Sequence, residues 1–141
     1  MKIVFTIKEL IRRKAVGEFT ILGEDNAQMF THLATSGSSR TYDHLPLGEY
    51  EVKWIDKREH CSADTRKPFE LFGFAWFAYI EPQFETERSE LGIHCDGGLP
   101  GSAGCITLPF QDLETNKACY ELLAKGLKEQ GKIKLKVVNY A

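Results

Sequence analysis

Leu91–Pro109, with the sequence LGIHCDGGLPGSAGCITLP, separates two parts of the chain whose apolar residues repeat with different periods. On its N-terminal side the pattern is that of strands. Lys2–Ile7 alternates and is rich in β-branched and aromatic residues. Glu18–Leu22 and Gln28–Thr35 are two further strands, separated by the turn signal GEDN at 23–26, and SGSSR at 36–40 is a loop. Leu45-Pro46-Leu47-Gly48 is a turn leading into a strand at Glu49–Ile55. Asp56–Pro68 is polar and reads as a long loop. Phe69–Ile80 is short, intensely aromatic and interrupted by Gly73, so it reads as one or two buried strands. On the C-terminal side Leu113, Tyr120, Leu123, Ala124 and Leu127 share a face at about 3.6 residues per turn. Asp112 is placed to cap that helix and Gly131 to stop it, and Ile133–Val138 alternates again. The fold class expected is mainly β, with one substantial C-terminal helix followed by a final strand.

A chain of 141 residues is the size of one domain, and 1–141 reads as a single unit. Nine Phe, five Tyr and two Trp are enough to fill a core. A net charge of −2 with scattered basic residues gives no electrostatic basis for a nucleic-acid or anionic-lipid partner. Arg12-Arg13-Lys14, the one tight basic cluster, reads as a solvated turn. Lys8 and Glu9 break the first apolar stretch before it reaches the length of a signal-peptide core, which predicts synthesis as a cytosolic chain. No stretch approaches the roughly 18 apolar residues of a membrane span, so stable membrane insertion is not expected. The four cysteines are irregularly spaced and are expected to be thiols, not disulfides.

Five of the twelve glycines lie between Gly92 and Gly104. That density indicates a constrained backbone with positive φ or close approach of another group. Cys105 follows Gly104 and precedes the strand Ile106-Thr107-Leu108, which presents a thiol at a loop–strand junction. The N–H groups of Gly104 and Cys105 are candidate oxyanion donors. A cysteine thiol titrates near about 8.5, and a nearby imidazolium lowers that value. His94, at the end of the short strand Leu91–Ile93, is the candidate base. Asp96, Ser102 or a backbone carbonyl is available to orient its ring. His60-Cys61 and His94-Cys95 are the only hints of metal ligation. Adjacent strand residues point to opposite faces, and no CxxC or HxxxH spacing is present, so neither a metal nor a cofactor is expected. The glycine run also lacks the GK[ST] of a phosphate loop.

These residues resemble the catalytic signature of the L,D-transpeptidases, which cross-link or trim bacterial peptidoglycan. Ile93-His94 and Ser102-Ala103-Gly104-Cys105-Ile106 match it. The short histidine-to-cysteine spacing is similar to compact phage-associated members and to transpeptidase-like toxins injected between bacteria. Thr35-Ser36-Gly37 followed by Leu45-Pro46-Leu47-Gly48-Glu49-Tyr50 is similar to the family's strand–loop–strand segment. The resemblance implies a β-sandwich or barrel-like fold and a peptidoglycan stem peptide as partner, reached by a route other than a signal peptide. It implies catalytic roles for Cys105, His94, Ser102 and Gly104, and substrate contacts from Asp96, Gly97, Arg88 and Ala103. Thr107 stands where the family usually has an arginine that contacts a substrate carboxylate, Leu45 replaces a threonine, and Ala103 stands where His is frequent. Arg88 is the candidate to supply the missing cation. Trp76, Phe77 and Tyr79 are expected to fill the core in preference to lining a groove. The alternative function is a non-catalytic module that binds a peptide or partner on the same scaffold.

Overall fold

The computed structural model describes residues 1–38, 42–58, 61–97 and 104–139. Its nine strands are β1 (Lys2–Ile11), β2 (Lys14–Leu22), β3 (Gln28–Ser36), β4 (Gly48–Lys57), β5 (Glu70–Leu71), β6 (Phe74–Pro82), β7 (Gly92–Cys95), β8 (Ile106–Leu108) and β9 (Ile133–Asn139). Two α-helices join them, the single turn α1 (Ala63–Arg66) and the long α2 (Leu113–Gln130). Eight strands run in the order β4-β9-β1-β2-β3-β8-β7-β6, and a β4–β6 pairing closes them into a barrel. β5 is appended to β6. Closure removes the open edges that a sheet of this length would otherwise expose.

Alternation decides what fills the barrel. Ile3, Phe5 and Ile7 point inward from β1, and Phe19 and Ile21 from β2. Tyr50, Val52, Trp76, Ala78, Ile80, Ile93, Cys95, Ile106, Leu108, Ile133, Leu135 and Val137 complete the same cluster. Most pairings are antiparallel; β1–β9 and β7–β8 are parallel. A register shift between Val52 and Trp54 turns the end of β4, so that Trp54 lies outside against Tyr79.

α2 begins and ends as expected. The Asp112 carboxylate accepts from the Thr115 N–H at 2.7 Å, and Gly131 adopts φ 79°. Its buried face differs from the expected one. Asn116, Cys119, Leu123 and Gly126 are buried, Tyr120 and Leu127 are partly buried, and Leu113 is exposed. The missing side chain of Gly126 leaves room for Met1 and Ile133, so the helix approaches the barrel closely. Asn116 is tolerated because its amide is satisfied: it accepts from Trp76 Nε1 at 2.7 Å and donates to the Leu71 carbonyl at 2.8 Å. The segment 56–68 is also corrected. β4 runs through Lys57, and α1 with a 3₁₀ turn at Lys67–Phe69 occupies most of the rest. Gly73, with φ 78°, makes the turn between β5 and β6, as its position in the aromatic run predicts. All four cysteines are thiols. Among the described residues, no helix is long and apolar enough to cross a membrane.

Candidate active site

The site lies on the outer surface of the barrel, where β6, β7 and β8 are neighbours. Ile93 pairs with Ile106 and both face the core, so the residues flanking them face out. His94 pairs with Thr107 on one side, and β6 pairing aligns Phe77 with it on the other. One step along the strands, Gly92 is opposite Tyr79, and Cys105 continues β8 on its far side. Two adjacent rows result, Phe77–His94–Thr107 and Tyr79–Gly92–Cys105. The structure therefore brings His94 and Cys105 to one face, diagonally across two parallel strands.

His94 is held tightly. Its Nδ1 lies 2.7 Å from the Cys95 carbonyl oxygen. A carbonyl only accepts, so Nδ1 carries the proton and Nε2 is the basic nitrogen. Of the three orienting groups open from the sequence, the backbone carbonyl holds Nδ1, and Ser102 lies outside the described residues. Phe77 stacks on the imidazole at 5.6 Å, and Phe69 meets it edge-on at 4.9 Å. With 6% exposure, the ring pays for its enclosure in basicity. Burial first, offset in part by the Cys95 carbonyl and the Asp96 charge, brings its pKa down to about 4.

Cys105 is 7% exposed, and its thiol points toward the Glu90 carbonyl at 4.0 Å. Burial pushes its pKa up, while the backbone of Gly92 and the Arg88 guanidinium pull it down. The resting pair is thus neutral thiol and neutral imidazole, not the thiolate–imidazolium pair that the sequence suggests. Cys95 and Cys119 are different thiols. Both face the core, and burial raises both, Cys95 to about 12.

The backbone at Cys105 is set from beneath. Ser36 is fully buried; its hydroxyl donates to the Gly104 carbonyl at 3.1 Å and accepts from the Leu45 N–H at 2.9 Å. The Gly104–Cys105 peptide is trans, so a carbonyl directed at Ser36 turns the Cys105 N–H away from Ser36. That N–H is one of the two candidate oxyanion donors named from the sequence. Gly104 has φ 98°, and a Cβ there would strike the Arg88 guanidinium. Arg88 is anchored by the carbonyls of Asp43 at 3.2 Å and His44 at 3.3 Å. It reaches the Cys105 end of the site.

Asp96 and Gly97 lie past the other end of β7, beyond His94. The Asp96 N–H bonds to Leu108, its carboxylate acts on His94 only as a charge, and Gly97 is packed against Lys67 and Pro68. Ser102 and Ala103 lie outside the described residues. Thr107, where the resemblance expects arginine, is bound hydroxyl-to-hydroxyl with Thr35 at 2.6 Å. Trp76 is core, as expected, but Phe77 and Tyr79 face outward. Ser36, Phe69 and Arg58 were missed. Ser36 looked like the start of a loop, and nothing local links Phe69 or Arg58 to His94. Among the described residues, no three His, Cys, Asp or Glu side chains converge to hold a metal. No family model, curated protein or solved structure matches the chain.

Proposed function

We propose that the protein is a cysteine-dependent L,D-transpeptidase or L,D-carboxypeptidase acting on peptidoglycan stem peptides. The observation that carries this reading is the composite of His94 and Cys105: a tautomer-fixed imidazole on the same sheet face as a cysteine whose own N–H is turned away from Ser36. The substrate identity rests on the sequence resemblance. In the reaction, the Cys105 thiol gives its proton to His94 Nε2 as sulfur attacks the carbonyl of an L-residue. The Cys105 N–H receives the developing oxyanion. Collapse breaks the C–N bond, and the imidazolium protonates the departing amine of the terminal D-residue. A weakly basic imidazole makes a strong proton donor at that moment. The thioester left on Cys105 is resolved by a second amine in transfer or by water in hydrolysis.

The test is intact-protein mass spectrometry after incubation with stem tetrapeptides. An adduct smaller than the peptide by the terminal D-residue, absent in Cys105→Ala and slowed in His94→Ala, is the expected result. No adduct from any stem peptide would remove the reading.

A second reading, a peptide-binding module, is favoured by the neutrality and burial of both groups. Calorimetric binding read beside adduct formation separates the two. A catalytic Cys105 takes up the acyl group of a bound stem peptide, and a binding module binds the same peptide without forming an adduct.

A further inference from the structure

Among the described residues Arg58 is paired with aromatic rings and a phenol, not with a carboxylate. It follows β4, and its N–H bonds to the Ala75 carbonyl at 2.9 Å, which lays its side chain on the outer face of β6. The guanidinium lies over Phe69 at 5.0 Å and Phe77 at 5.3 Å, the two rings that enclose His94. Nη2 donates to the Tyr79 hydroxyl at 2.9 Å. Nε is buried with no hydrogen-bond partner, and among the described residues no carboxylate forms an ion pair with this arginine. A buried donor left without a partner costs stability, so its retention on this half-buried cation calls for a reason.

We propose that Arg58 and Tyr79 form the carboxylate-binding subsite of this active site, taking the C-terminal carboxylate of the acyl-donor peptide. The Tyr79 oxygen accepts from Arg58, so its own O–H is left to donate, beside the remaining N–H groups of the guanidinium. Two kinds of donor thus converge on one anion, and a carboxylate supplies two acceptor oxygens. The placement fits the chemistry. Tyr79 shares a row with Cys105, with only Gly92 between them. Two strand spacings put their backbones about 10 Å apart. That span accommodates a carbonyl at sulfur and one further residue of about 3.5 Å. The donor peptide then crosses the strands over the Phe77 ring, which lies on Gly92. Position 107 has no cation to offer, and Arg88 is already committed to the Asp43 and His44 carbonyls.

This inference rests on Cys105 being the acyl-accepting sulfur, so its test separates binding from chemistry. The full chain carrying Cys105→Ala is titrated calorimetrically with a stem tetrapeptide whose only carboxylate is C-terminal, and with the same peptide as its C-terminal amide. The acid is expected to bind about tenfold more tightly than the amide. Arg58→Gln should abolish that preference, Arg58→Lys retain part of it, Tyr79→Phe reduce it severalfold, and Arg88→Gln leave it intact. If Arg58→Gln fails to fold, Tyr79→Phe and Arg58→Lys decide. An undiminished acid preference in Arg58→Gln, its loss in Arg88→Gln, or no binding of either peptide overturns the proposal. Adduct formation in the unsubstituted chain is read separately. A thioester that forms while Arg58→Gln keeps the acid preference removes the subsite alone. An Arg58-dependent preference with no thioester removes the chemistry alone.

Discussion

The β1–β2 hairpin and the β7–β8 pair are the two extremes of this barrel. β1 and β2 are long, antiparallel and joined by two residues, Arg12 and Arg13. β7 and β8 are parallel, pair over three residues and are joined by the segment 96–105. Parallel neighbours ordinarily need a crossover of about a dozen residues or more, because the chain must return to its starting end. Here the return is short because three paired residues span only about 10 Å. The hairpin thus places most of its residues in ladder and core, while the parallel pair gives up ladder length for a glycine-rich return loop that ends at Cys105. Stability and chemistry should therefore separate between the two regions.

The largest expected effect tests that separation directly. Cys105→Ala should reduce thioester formation to background, a loss of at least about a thousandfold. Its unfolding free energy should change by only about 1 kcal/mol, since a single sulfur is lost from a side chain that lies on the outer face of the barrel, away from the core cluster. Phe5→Ala, in the hairpin core, should do the reverse and cost about 3–5 kcal/mol in urea unfolding. Adduct formation per folded molecule should be unchanged in that variant. A core variant that loses acylation while remaining folded would erase the distinction between the regions.

His94 gives the parallel pair a pH signature that the hairpin lacks. Its pKa is about 4 in the fold against an ordinary value of 6.5. Between those values the unfolded chain binds the proton and the folded chain does not. The contribution is therefore fully present above about pH 6.5 and is lost as pH falls through 4. Its size is about 3 kcal/mol, most of it lost by pH 4.5. Urea midpoints at pH 7.5 and 4.5 should fall less in His94→Gln than in the unsubstituted chain. Equal falls would show that burial does not control this imidazole.

The two regions also differ in how far sequence alone reveals them. Alternation of Ile3, Phe5 and Ile7 is a local signal, and so are the caps Asp112 and Gly131; strand and helix positions could be read from them. The His94–Cys105 motif was legible as a pattern of residue types. Barrel closure was implied only by the resemblance and not by local pattern, because the β4–β6 pairing joins residues that carry no mutual local signal. Nor was the inside–outside assignment of Ala75–Ile80, where continuous apolar residues conceal the period of two and with it the contact between Phe77 and His94. Asn116 was hidden by polarity: hydropathy puts it outside, and three hydrogen bonds put it inside. Ser36 escaped notice because its work is a contact with Gly104, far along the chain.

Ser36 is where the regions join, since β3 pairs with β2 on one side and β8 on the other. Ser36→Ala leaves the Gly104 carbonyl and the Leu45 N–H without their buried partner. Stability should fall by about 1–3 kcal/mol. The Gly104–Cys105 peptide is then free to rotate, and acylation should drop about tenfold or more, with the iodoacetamide reactivity of Cys105 changed less. Acylation at the unsubstituted rate would mean that the Cys105 N–H is not an oxyanion donor.

The smallest expected effect concerns positive φ, which both regions use. Gly104 has φ 98° with Arg88 against it, so the site requires glycine there. Arg12 has φ 58° at the first central position of a two-residue hairpin, where glycine is preferred but absent. A left-handed conformation costs a side-chain-bearing residue about 1–2 kcal/mol, and glycine returns part of that as lost freedom on folding. Arg12→Gly should therefore stabilise the fold by about 0.5–1 kcal/mol, read as a raised urea midpoint, with acylation unaffected. Gly104→Ala should lower both the midpoint and the acylation rate, because it adds the same strain and also displaces Arg88. If Arg12→Gly lowers the midpoint, the hairpin turn is held by its side chain and not strained by it.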